Sequence, residues 1–127
     1  MKQSNSNNTT TKKLGDCWEQ YAERYLISRG LTLFAKNFHS RQGEIDLIMK
    51  DADCIVFVEV KYRKSNHFGG AISAVTYQKQ QKIIKTAAFF LQQQKLNEYN
   101  TACRFDIVAI EGDANKPNIQ WLKNAFS

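Results

Sequence analysis

Apolar and polar positions along this chain switch between two periods, and the switches mark out its elements. Over residues 14–29 the apolar residues Leu14, Trp18, Tyr21, Ala22, Tyr25 and Leu26 recur at three- and four-residue spacing, the pattern of a helix with one face turned to a core. Gly30 follows as a stop, because a glycine just past the last turn accepts the left-handed conformation that ends many helices. Residues 31–38 read as a strand rich in Leu and Phe, and the polar segment 39–42 turns the chain. Two further strands, 44–49 and 54–62, are joined at Asp51-Ala52-Asp53, a connection so short that it implies an antiparallel hairpin. A loop over 63–74, holding His67 and Gly69-Gly70, leads to a second helix over 75–96. Ile83, Ile84, Ala87, Phe90 and Leu91 form the inner face of that helix, Lys82 and Lys85 point outward, and Lys79 lies at the border one turn before Ile83. Strand 104–110 and a short segment at 119–121 close the chain. The order α-β-β-β-α-β predicts an α/β fold with a mixed sheet flanked by helices.

Charge intrudes on this pattern at one place. Asp46 sits inside the first strand of the hairpin, and Glu59 and Lys61 sit inside the second among Val56, Phe57, Val58 and Val60. Burying charge is costly unless the charge is paired or coordinates a metal. Side-chain alternation places Phe57, Glu59 and Lys61 on one face, with Glu59 and Lys61 about 6.6 Å apart along the strand. Asp46 shares that face only if directly paired positions sum to an odd number, which a two- or four-residue turn or a bulge provides and a regular three-residue turn does not.

Two carboxylates and an ammonium on a hairpin make a compact device for holding a divalent cation beside an activated water. In this reading Asp46 and Glu59 bind Mg²⁺ or Mn²⁺, with the Val60 carbonyl as an added ligand. Lys61 orients or deprotonates the attacking water, or stabilises the charge that develops on a phosphate. Glu19, at the margin of the first helix's core face, completes the acidic cluster. The plainer alternative makes Asp46 and Glu59 edge residues in surface ion pairs with Lys61 and Arg63, which contribute little, and Glu19 a solvated helix residue. An acid-x-Lys triplet occurs about once by chance in a chain of this length; its strand context and the upstream acid are what give it weight.

Length and composition narrow the partners. The 127 residues and 14.6 kDa suit one domain over residues 14–127. Residues 1–13, rich in Asn, Ser and Thr, read as a disordered tail with no signal-peptide character, and no run is long and apolar enough to span a membrane. The expected setting is cytoplasmic. Eighteen Lys and Arg against twelve Asp and Glu leave a net charge of +6, which favours a polyanionic partner, nucleic acid first. Arg41, Arg63, Lys64, Lys79, Lys82 and Lys85 are expected either to line a phosphate-contacting surface or to be merely solvated. Cys17, Cys54 and Cys103 are too scattered for a zinc site or a disulfide framework and are expected to pack as small apolar residues. His39 and His67 have no second histidine at ligand spacing. Asp106 is expected to orient Arg104 or close a strand end, with no part in catalysis.

Taken together, these residues resemble the YraN-like family, an uncharacterised bacterial group related to Holliday junction resolvases within the PD-(D/E)xK nuclease superfamily. The likeness runs from Leu14 to about Ile110. It is carried by Gly15, Glu19 and Tyr25-Leu26, by Gly43-Glu44-Ile45-Asp46-Leu47-Ile48, and by Phe57-Val58-Glu59-Val60-Lys61 with Arg63. Phe68-Gly69, Val75, Lys79 and Arg104-Phe105-Asp106 add to it. The resemblance implies a restriction-endonuclease-like fold, with Asp46 as the superfamily's acid, Glu59 and Lys61 as its E-x-K and Glu19 as the helix acid. Where Holliday junction resolvases often carry Gln on the second helix, this chain has Lys79 between Gln78 and Gln80. The implied activity is Mg²⁺-dependent hydrolysis of phosphodiesters in structured or branched DNA. A non-catalytic nucleic-acid binder with the same fold, and an interaction module docking an acidic protein, are the competing readings. The sequence leaves monomer and homodimer open.

Overall fold

The computed structural model describes residues 6–64 and 75–127, with side chains from residue 15 onward. Its elements are α1 (Ser6–Ser28), β1 (Thr32–Ser40), β2 (Gly43–Asp51), β3 (Cys54–Arg63), α2 (Tyr77–Gln93), β4 (Cys103–Glu111) and β5 (Asn118–Phe126). The strands form one sheet in the order β1-β2-β3-β4-β5. The first three make an antiparallel meander, β4 runs parallel to β3, and β5 is antiparallel to β4. The parallel step needs a crossover, and α2 lies between those two strands in the chain. This is a restriction-endonuclease-like α/β fold.

Each helix covers one face of the sheet. Ala22 and Leu26 of α1 pack with Leu47, Met49, Val56, Val58, Val108 and Ile110. Ile83, Ala87, Phe90 and Leu91 of α2 pack with Ile45, Ile48, Ile55, Phe57, Ile107 and Ala109 on the other side. β3 and β4 are therefore buried on both faces, which explains their almost unbroken apolar runs.

The hairpin turn is shorter than the three-residue connection that its polar residues suggested. Asp51 pairs with Cys54, leaving Ala52 and Asp53 as a two-residue turn, with Ala52 at φ +55°. Paired positions thus sum to an odd number, the condition for Asp46 and Glu59 to share a face.

Other boundaries moved for local reasons. α1 begins eight residues before the start that its apolar stripe marks, taking in residues 6–13 that composition assigned to a tail. Tyr21 is 39% exposed and meets the Trp18 ring edge-on rather than entering the core. Cys17 is exposed, not packed, while Cys54 and Cys103 are half-buried. α2 contains a buried residue that polarity concealed: the Thr86 hydroxyl donates to the Lys82 carbonyl at 2.7 Å, which removes the penalty of burying it. β5 is nine residues long rather than three, because Asn124 at φ +51° and a register shift opposite Phe105–Ile107 break the alternation that would have announced it. His67 and Gly69-Gly70 lie outside the described residues.

One buried acid ties three strands together. Asp106 of β4 is fully buried and accepts the Arg104 Nε–H at 3.0 Å, the Trp121 indole N–H at 2.9 Å and the Asn124 backbone N–H at 2.9 Å. Arg104 in turn donates from Nη1 to Asp51 at 3.0 Å, beside the hairpin turn. The expected orienting role of Asp106 is what the structure contains. Asp106→Ala removes one of the two carboxylates on Arg104 and leaves the Trp121 and Asn124 N–H groups without their acceptor. It should cost about 3–5 kcal/mol, whereas Trp121→His, which changes one of these donors and the ring set edge-on to Tyr25, should cost less. Urea unfolding of both variants checks this ordering, and equal costs would contradict it.

Candidate functional site

β2 and β3 pair from Asp51↔Cys54 as far as Leu47↔Val58. One position further, at Asp46 and Glu59, the pairing stops and the two strands part. Asp46 Oδ2 accepts the Val60 N–H at 2.8 Å, so a side chain satisfies a backbone donor in place of a neighbouring strand. The strand on the other side is irregular at the same level. Asn37 lies between the pairs Lys36↔Leu47 and Phe38↔Ile45 and has φ +53°, a left-handed conformation that Asn tolerates better than most residues. The cores record the distortion. Ile45 packs on the α2 face and Leu47 on the α1 face, although residues two apart on a regular strand share a face. Gly43 starts β2 hard against α2: its φ is +149°, and a Cβ there would meet Thr86 Oγ1 at 3.3 Å.

The parted strands open a pocket of about 250 Å³ to which both helices contribute. α1 supplies Gly15, Trp18 and Glu19, β2 supplies Glu44 and Asp46, β3 supplies Glu59, Val60, Lys61 and Tyr62, and α2 supplies Lys79. Trp18 stacks on Tyr62 at 4.4 Å with the rings 9° from parallel, and the Tyr62 hydroxyl donates to the Gly112 carbonyl at 2.8 Å. This stack holds the α1 end of the pocket against β3. A larger open cleft of about 730 Å³ shares Gly15, Glu19 and Glu44 with the pocket and continues along α1 and β1 past Asp16, Glu23, Lys36 and His39.

Glu59 is the most buried charged group here, 4% exposed. Lys79 Nζ stands 3.2 Å and Lys61 Nζ 3.6 Å from its Oε2 atom, so two ammonium groups share one carboxylate oxygen. Burial, and then the charge of Asp46, still push the Glu59 carboxyl up to about 7, against the pull of both lysines. Burial likewise raises Glu19 to about 7, reinforced by the charge of Asp46 and by a hydrogen bond between the two carboxyls. Asp46 is itself raised, burial outweighing the Val60 N–H and Lys79. For Lys79 burial acts downward, but the charge and hydrogen bond of Glu59 prevail and raise it. Crowded carboxyls pushed upward in this way are a site short of positive charge.

The structure brings Glu19, Asp46, Glu59 and Lys61 into one pocket and adds Lys79, expected at the border of α2 as a phosphate-contacting candidate. Glu59 is no edge residue in a surface pair. Arg41, Arg63, Lys64, Lys82 and Lys85 are exposed and do not line the pocket. Sequence reasoning missed Glu44, whose charge raises both Glu19 and Asp46. Its signal was its place two residues before Asp46 in the Gly-Glu-Ile-Asp stretch. The Trp18–Tyr62 stack was also missed, since it joins elements far apart in the chain. The donors offered are all carboxylate oxygens, a set that suits Mg²⁺ or Mn²⁺, ions held by one or two carboxylates and completed by water or phosphate. Among the described residues no three metal-binding side chains stand gathered as a finished cage.

Because the folded state holds protons on Glu19 and Glu59 that the unfolded state has lost, this pair makes stability fall as pH rises from about 4.5 to about 7 and adds nothing further above that. Asp46→Asn removes a charge that raises both groups. Carbon-detected NMR titration should place both glutamates near pH 7 in the wild type and lower in Asp46→Asn. Ordinary glutamate midpoints in the wild type would contradict this electrostatic picture.

Comparison with known proteins gives one consistent answer. The model of the uncharacterised protein family UPF0102 matches residues 18–110. A UPF0102 protein of Colwellia psychrerythraea is 55% identical over 97% of this chain and 95% of its own. One from Aliivibrio fischeri is 50% identical over 88% of this chain and 89% of its own. The UPF0102 protein YraN of Salmonella agona is 44% identical over 96% of this chain and 90% of its own. All of β2 and β3, and Glu19, Asp46, Glu59, Lys61 and Lys79 with them, fall within the matched span, and the chain belongs to the uncharacterised protein family UPF0102.

Proposed function

We propose that this protein is a Mg²⁺-dependent nuclease that hydrolyses phosphodiester bonds in DNA, with structured or branched DNA as its substrate. The observation that carries the reading is the convergence of Asp46, Glu59, Glu19 and Lys61 where the β2–β3 ladder opens. Asp46 needs only one oxygen to satisfy Val60, which leaves its other carboxylate oxygen for a ligand beside Glu59. Asp46 and Glu59 would hold the cation, with Glu19 beside them. Bound there, the cation would supply Lewis-acid polarisation of a phosphoryl oxygen and a more acidic water.

The protein's own groups account for the rest. Asp46 is oriented by the Val60 N–H, and Glu59 lies on a strand paired on its far side with β4 through Glu59↔Ile107, so both acids ride on rigid elements. Lys61, 28% exposed at its side chain, faces the pocket from the same strand. It is placed to orient the attacking water or to meet the charge that builds on the phosphate. Exposed Arg41, Arg63 and Lys82 would contact the DNA backbone outside the pocket.

A second reading is a nucleic-acid binder that keeps the fold without the chemistry. The ion pairs from Lys61 and Lys79 to Glu59 favour it, because they give this acid a purely structural use. The two readings part on Lys61→Ala. In a nuclease that substitution should lower Mg²⁺-dependent cleavage of a panel of duplex, flapped and four-way DNA by orders of magnitude and leave DNA affinity nearly unchanged. In a binder, highly purified wild type and variant are equally inert. Either way affinity should fall steeply with salt, as phosphate contacts release counterions; affinity indifferent to salt would remove DNA from both readings.

A further inference from the structure

Lys79 has a part in this site that the acid-acid-lysine set does not require. Its backbone is fixed: the Lys79 N–H donates to Thr76 Oγ1, the N-cap of α2, at 3.2 Å. That puts Lys79 in the first turn of a helix with no acid in that turn, near the positive end of the helix dipole, where a cation is disfavoured. Its ion-pair partner is Glu59, at 3.2 Å, with Asp46 and Glu44 adding attraction from further off. Glu59 Oε2 is meanwhile shared with Lys61. Lys79 therefore occupies, as a positive charge, the acid that a divalent cation would need.

Resting on the nuclease reading, we propose that Lys79 is an internal counter-ion which holds Glu59 in the metal-free protein and passes to a phosphate of the nucleic acid when a divalent cation takes Glu59. Two consequences follow from charge balance. A cation that binds alone must displace the ammonium and leave it near the positive end of α2 with its main anion lost, so binding of metal alone is weakened. A phosphodiester beside the pocket gives the ammonium a new anion, so nucleic acid and metal each favour the other's binding. Such coupling is reciprocal by thermodynamic necessity. Lys79 is thus a positioning residue that makes occupancy of the cation site depend on substrate.

The test is Mn²⁺ calorimetry on the wild type, Lys79→Gln, Lys79→Arg and Asp46→Ala, each first shown to be folded by circular dichroism. Lys79→Gln should bind Mn²⁺ alone about tenfold more tightly than the wild type, Lys79→Arg should resemble the wild type, and Asp46→Ala should bind none. In the reciprocal arm, Ca²⁺ should raise the affinity of the wild type for a short DNA duplex and should do so far less for Lys79→Gln. Equal or weaker Mn²⁺ binding by Lys79→Gln, with binding still abolished in Asp46→Ala, would overturn the counter-ion role and leave the metal site standing. No Mn²⁺ binding by any of the four proteins would overturn the metal reading, and the counter-ion role with it.

Discussion

The 2.8 Å hydrogen bond from Val60 N–H to Asp46 Oδ2 sits where the β2–β3 ladder ends. Below it the β2–β3 ladder is regular; above it the strands separate and the space between them becomes a pocket. A polar backbone group exposed by such a separation must find a partner, and a carboxylate is the acceptor that also brings charge. Satisfying the backbone and placing an acid in the pocket are therefore one event. The left-handed Asn37 opposite Asp46 and the opposite facing of Ile45 and Leu47 are the wider strain of the same opening.

That opening also explains how groups from both sides of the sheet meet. α1 and α2 cover opposite faces, and an unbroken sheet would keep Glu19 away from Lys79. Where β2 leaves β3, Glu19 reaches Asp46 from one side and Lys79 reaches Glu59 from the other. Three raised carboxyls and two ammonium groups then share a small volume. The Asp106 node, with Arg104, Trp121 and Asn124, holds β4 and β5 together and so braces the strand on which Glu59 rests.

Much of this was legible in the chain. Period-2 and period-3.6 patterning found both helices and the first four strands, and an odd-sum hairpin was recognised as the condition for Asp46 and Glu59 to converge. What escaped was whatever depends on broken regularity or on distant contacts. β5 carries a left-handed Asn124 and a bulge against β4, so its alternation fails midway. Thr86 is polar yet buried, because its hydroxyl bonds within its own helix. Glu44 was given no role of its own, and only the fold brings its charge near Glu19 and Asp46. Lys79 was visible as a border residue, but its grip on Glu59 depends on how α2 crosses β3, which no local pattern encodes.

We propose that the opened ladder makes one cation site, and paramagnetic broadening by substoichiometric Mn²⁺ in the NMR spectrum of the intact protein tests this. The signals of Asp46, Glu59, Val60 and Lys61 should broaden first, with Glu19 and Lys79 close behind, while those of Asp51, Arg104 and Asp106 at the hairpin end of the sheet should stay sharp. Broadening centred on Asp16 and Glu23 in the larger cleft, or spread evenly over the surface acids, would contradict it.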